Sequence, residues 1–150
     1  MNGGSGALFK YPELDTAVIA FFLHFVWEFW QMPWYAEIAR VQHLDGVIIC
    51  TQATFGDVAI TLAAYLAVTL AAKDRYWAIR LTTARVAGFL VIGLAITVVL
   101  EWLATKVFDR WQYADAMWTV PVLGTGLAPT LQWIFVPMIL LLILGRLWAR

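Results

Sequence analysis

A single cysteine, Cys50, excludes an intramolecular disulfide and a zinc site built from thiolates. Charge is scarce. Asp, Glu, Lys and Arg make up 13% of the 150 residues, about half the share usual in a soluble domain. The charges cancel to a formal net of zero. They form no basic patch, so nucleic acid is not an expected partner. There is no internal repeat and no low-complexity tract. No cleavable signal peptide is expected, because the first apolar run is too long for a signal core and no small-residue cleavage site follows it. Residues 2–6 read as a flexible tail.

Apolar residues fill the space that charge leaves. The chain is 63% hydrophobic, with a mean hydropathy of +0.77. Charged residues mark off four apolar runs, 16–36, 46–72, 86–105 and 127–145. Each is near the roughly 20 residues a helix needs to cross a bilayer. Strands are not expected, since four segments cannot close a membrane barrel. The expected fold is therefore all-α, one integral membrane four-helix bundle spanning residues 1–150. Its helices are placed at 16–36, 46–72, 83–107 and 127–148. Residues 109–125 are too polar to span and too aromatic for a free loop, so they read as an interfacial segment between helices three and four.

Lysine and arginine set an orientation. Lys10, Lys73, Arg75, Arg80, Arg85, Arg146 and Arg150 fall on one side, against Arg40, Lys106 and Arg110 on the other. Seven against three places both termini in the cytoplasm, in a bacterial inner membrane or its equivalent. Trp77 and Trp148 would then lie at the inner interface, and Trp30, Trp34, Trp111 and Trp118 at the outer one. Pro33 and Pro137 are candidate kink sites, whereas Pro129 falls in a first helical turn that tolerates it.

The stretch from His24 to Tyr35 departs most from this apolar pattern. His24, Glu28, Gln31 and Tyr35 sit at offsets of zero, four, seven and eleven, one face of a helix. Ionisable groups inside a membrane helix are costly and lean functional. The other runs offer partners at a matching depth: Thr54 and Asp57 on the second, Thr97 and Glu101 on the third, Gln132 and Trp133 on the fourth. Polar groups run from mid-membrane outward, with almost none below. One shared cavity in the outer half follows. Three carboxyls in such a site would not all ionise together, which suits acid/base work beside a histidine. His24, Glu28, Asp57 and Glu101 are the candidate catalytic set. Trp27, Gln31, Tyr35, Thr54, Thr97, Gln132 and Trp133 are the candidate substrate-binding set. One nitrogen and three carboxylates are donors that iron, manganese or zinc accept. The Glu-x-x-His spacing of helical-bundle metal sites is absent, and no metal or cofactor is assigned.

His-x-x-x-Glu on a membrane helix, followed by aromatics and a tyrosine, resembles the emopamil-binding protein and the wider EXPERA group. That resemblance implies a four-helix cavity open to lipid. It also implies isomerase chemistry, in which an acid protonates a ring double bond and a histidine and a tryptophan attend the carbocation. The family's histidine and acid fall on His24 and Glu28. Its Asn-x-x-Trp falls on Thr130-x-x-Trp133, matching only the tryptophan. Its second acid falls near Gln52, a turn and a half from Asp57.

The expected function is an intramembrane enzyme or binder of an apolar lipid, sterol-like, hopanoid or polyisoprenoid, acting as an acid/base isomerase. Its partner would be a membrane lipid or an apolar small molecule. The alternative is a non-catalytic subunit of a larger complex or a homo-oligomer, in which the polar groups only bond helices together and Gly88 and Gly93 allow close approach. An ion pathway fits less well, since the inner half offers no polar route.

Overall fold

The computed structural model describes residues 8–9, 11–37 and 40–149. Residues 2–6, Lys10 and Arg150 lie outside the described residues. Four helices make up the fold: α1 (Pro12–Gln31), α2 (His43–Ala72), α3 (Thr83–Trp102) and α4 (Leu127–Trp148). Among the described residues there is no strand, only two isolated bridges, Tyr35 to Tyr113 and Thr119 to Gly126.

Each boundary has a local cause. Pro12 opens α1 with Glu13 and Asp15 in its first turn, where a missing N–H costs nothing and negative charge suits the helix dipole. Pro33 does not kink α1; it sits in a 3-10 turn, Met32–Trp34, that ends it. α2 stops at Lys73, which adopts the left-handed conformation. The Thr82 hydroxyl accepts the Arg85 N–H and caps α3. α3 closes through a wider turn at Leu103–Val107. Pro137 lies inside α4, leaving the Trp133 carbonyl without its helical partner.

α1 packs on α2, α2 on α3, α3 on α4, and α4 back on α1. The start of α1, the α2–α3 connection and the end of α4 therefore share one end, and residues 32–37, 40–42 and 103–126 share the other. α2, the helix at Thr83–Val107, and α4 are long and apolar enough to cross a membrane. α1 falls outside that set. It carries Glu13, Asp15, His24, Glu28 and Gln31 in only 20 residues.

The apolar core fills the half of the bundle near the α2–α3 connection, with Tyr65, Trp77, Phe89, Leu140, Leu144 and Trp148 buried in it. Trp77 and Trp148 are thus enclosed, at 0% and 1% exposure, at the end of the bundle that holds the α2–α3 connection. This half also holds more polarity than the sequence suggested. Asp15, Thr16 and Thr69 are buried there. Asp15 accepts from the Trp148 indole at 2.7 Å and from the Phe9 backbone N–H at 2.9 Å.

At the other end, residues 108–126 fold over the bundle. Tyr35, Met117 and Ala128 form a small second core there with Trp34, Trp111 and Tyr113. Gly88 and Gly93 face inward, toward Val68 and Trp133, so neither offers the close approach to a partner helix expected above.

Candidate functional site

The buried face of α1 repeats at helical spacing through Ala20, His24, Glu28 and Gln31. His24 is fully enclosed. Tyr35 continues that face by another route, through the 3-10 turn and an extended backbone.

The Gln132 amide of α4 ties the polar groups together. Its nitrogen lies 2.9 Å from His24 Nδ1, 3.2 Å from Glu28 Oε1 and 2.8 Å from Asp57 Oδ2. Two N–H protons are therefore shared among three acceptors. Because the amide nitrogen only donates, His24 Nδ1 is the accepting nitrogen in this arrangement, and Nε2–H donates to Thr61 Oγ1 at 3.1 Å. Asp57 Oδ2 is 3.5 Å from the same Nδ1. Gln31 adds a 2.6 Å bond to Glu28 Oε1. The Glu28 and Asp57 carboxyls thus meet at one amide nitrogen, and two carboxyls brought so close inside the fold do not readily ionise together. Glu101 accepts from the Tyr113 hydroxyl. The hydrogen bonds to Glu28, Asp57 and Glu101 come from uncharged groups, so none of the three is matched by a bonded cation.

A cavity of about 530 Å³ opens beside this cluster, within the range of small-molecule sites. Gln52, Ala53, Gly56 and Ile60 of α2 and Leu100 of α3 flank it. Gln52, Ala53, Gly56 and Leu100 are exposed, so the opening lies on the side of the bundle, between those two helices. Residues 103–111 wall it toward the covered end, where Glu37 and Arg110 reach its rim.

Of the residues singled out from sequence, Glu28, Asp57, Glu101, Gln31, Tyr35, Thr97 and Gln132 line this cavity. His24 and Trp133 lie directly behind it, their ring centroids 5.7 Å apart. Thr54 is buried and donates to the Cys50 carbonyl. Trp27 is remote from the opening, packed against Trp30 and Phe135. Three contributors stand outside the candidate sets named from sequence. Thr61 bonds His24, and sequence spacing places it on one face of the second helix with Cys50, Thr54 and Asp57. Cys50 lines the cavity, on the same face as Thr54 and Asp57. Tyr113 comes from a segment with no periodicity, so no pattern announced it.

Among the described residues, no group of three or more His, Cys, Asp or Glu side chains is arranged to hold a metal ion. The Gln132 nitrogen occupies the point on which His24, Glu28 and Asp57 converge. No protein-family model, curated protein or solved structure matches the chain.

Proposed function

We propose that the chain is an integral membrane protein that admits an apolar lipid sideways into the cavity between α2 and α3 and acts on it by acid/base isomerisation. The observation that carries this reading is the combination of a lateral, largely apolar opening with two carboxyls, Glu28 and Asp57, brought together on the Gln132 amide at its back wall. Large apolar side chains on the outer faces support insertion, among them Phe22, Val26, Leu70 and Val91, all at least 64% exposed. Lys73, Arg75, Arg80, Arg85 and Arg146 share the end of the bundle where α1 starts, which favours cytoplasmic termini. In this reading Glu28 and Asp57 exchange a proton with the lipid, His24 and Gln132 hold their geometry, and Glu101 with Tyr113 closes the outer side. The resemblance to the EXPERA group, carried by His24 and Glu28, points the same way.

The test uses protein purified in nanodiscs, with bound lipids identified by mass spectrometry. Wild type should retain an apolar lipid that Gly56→Trp loses. A Cβ at Gly56 meets nothing within 4 Å, so the indole can enter the opening without moving backbone. Glu28→Gln should keep that lipid and fail to convert it. Equal lipid in wild type and Gly56→Trp would remove the reading.

A second reading, a non-catalytic subunit or homo-oligomer, is favoured by one observation: Gln132 joins α4 to α1 and α2 in a hydrogen-bonded knot that would serve packing alone. A stable stoichiometric complex after mild solubilisation, without bound lipid, would support it.

A further inference from the structure

Tyr35 is held rigidly at the covered end of the cavity. Its extended backbone forms an antiparallel bridge with Tyr113. On either side, the Ala36 N–H meets the Gln112 carbonyl at 2.9 Å and the Ala114 N–H meets the Trp34 carbonyl at 2.9 Å. The ring stands edge-on to Trp111 and 5.7 Å from the Tyr113 ring. Only 6% of the residue is exposed, and it lines the cavity. Glu28, Asp57 and Glu101 line the same cavity.

The two phenols differ in one respect. Tyr113 gives its proton to Glu101, whereas the Tyr35 hydroxyl has no hydrogen-bond partner among the described residues. A donor that faces an apolar cavity without an acceptor is costly. The carboxyls beside it already take bonds, Glu28 from Gln31 and Gln132, Asp57 from Gln132, Glu101 from Tyr113. Gln31 Oε1 and Thr97 Oγ1 of the lining residues also lack partners, but both atoms are fully enclosed; the unpartnered group that a ligand can reach at this wall is the Tyr35 donor, and a ligand that answers it brings an acceptor oxygen.

We propose that the cavity takes an apolar ketone or enone, with the Tyr35 hydroxyl donating to its carbonyl oxygen and the Glu28–Asp57 pair moving a proton between carbons conjugated with that carbonyl. This rests on the lipid-cavity reading above. In a ketone whose C=C lies β,γ to the carbonyl, the ionised carboxylate removes a proton from the carbon between the two groups. The C–H electron pair becomes a C=C bond and the carbonyl pair moves onto oxygen, where the Tyr35 hydrogen bond strengthens as charge develops. A carboxyl of the pair then returns a proton to the far end of the dienolate, and the carbonyl re-forms. The double bond has moved one place, with no oxidant consumed. A carbonyl suits the pair better than an alcohol, because it makes the neighbouring C–H acidic enough for a carboxylate to remove.

The test measures binding of cholest-4-en-3-one, geranylgeranylacetone, cholesterol and cholest-4-ene to wild type and Tyr35→Phe in nanodiscs. Phenylalanine keeps the ring packing. At least one ketone should bind wild type saturably and about tenfold more weakly in Tyr35→Phe, the worth of about one net hydrogen bond. Affinity for the hydrocarbon should stay unchanged. The infrared carbonyl stretch of the bound ketone should be lower in wild type than in the variant. Equal ketone affinity in the two proteins, a preference for cholesterol, or an equal loss for all probes would overturn the carbonyl assignment. If Gly56→Trp still blocked binding of those probes, the lipid-cavity reading would stand. No saturable binding of any probe would overturn both.

Discussion

The six-membered ring of Trp133 occupies the space where Gly93 has no side chain: a methyl group built there would overlap Cζ3 and Cε3. α3 and α4 can approach closely at this point only because residue 93 lacks a Cβ. The indole is thereby held behind His24, which it backs at a centroid distance of 5.7 Å. Gly93→Ala should lower stability by about 1–3 kcal/mol through overpacking. Thermal unfolding in detergent reads this directly. Combining it with Trp133→Phe should cost less than the sum of the two changes, and strict additivity would mean that the contact is not the cause.

Asp15 and Trp148 join the start of α1 to the end of α4 in a fully buried contact. Asp15→Ala leaves the indole N–H without its partner and should cost about 1–3 kcal/mol. Trp148→Phe in the same background removes the orphaned donor, so the double variant should lose less than the two single changes together. A double-mutant cycle of unfolding midpoints measures the coupling.

Arg75 grips Glu13 through two bonds, 3.0 Å and 2.6 Å, at the end of the bundle beyond the apolar spans. Burial pushes the Glu13 carboxyl up, but the hydrogen bonds and charge of Arg75 outweigh it and hold the group below its ordinary value of 4.5. A carboxyl depressed in the folded state stabilises fully above the unfolded value, and that contribution disappears as pH falls through the folded one. Arg75→Met should therefore be less stable than wild type at pH 7, with the gap closing in acid below the ordinary carboxyl value. A gap of constant size from pH 7 to pH 3 would show that the carboxylate is not its source. Added salt should shrink the difference, because the Arg75 side chain is 54% exposed.

Gln132 supplies the donor that three acceptors share. Gln132→Met keeps the length of the side chain and removes the amide. Interhelical bonds in lipid average about 0.6 kcal/mol and reach about 1.7, so removing this knot should cost about 1–2 kcal/mol. His24→Gln should cost a similar amount and couple to it, since both end at Nδ1. Thermal unfolding of the single and double variants decides the matter. Independent effects would count against a shared network.

Much of the helical frame was legible in the sequence, because hydropathy and charge spacing are properties of single segments. α4 begins and ends where the last apolar run and its flanking arginine place it. The long third element runs to Val107 as expected. The first element was harder. Asp15 looked like a boundary because a charge normally stays in water, yet Trp148 and the Phe9 N–H satisfy it inside the fold. Pro33 looked like a kink, but the chain simply turns there.

His24, Glu28 and Gln31 were readable as one polar face, since helical periodicity is written in spacing. Their partners were readable only as a matching depth. That Gln132, from the far end of the chain, places one nitrogen among three acceptors is a matter of side-chain direction across helices. No local pattern encodes that. The lateral opening likewise depends on how far α2 and α3 diverge, and the position of Tyr35 depends on a bridge to a segment 78 residues later. Composition and periodicity determined that this chain forms apolar helices carrying a buried polar stripe, because burial and helical repeat act within a segment. Which groups meet, which donor is left without an acceptor, and where the wall opens were decided by packing between segments, where distance along the chain carries no information.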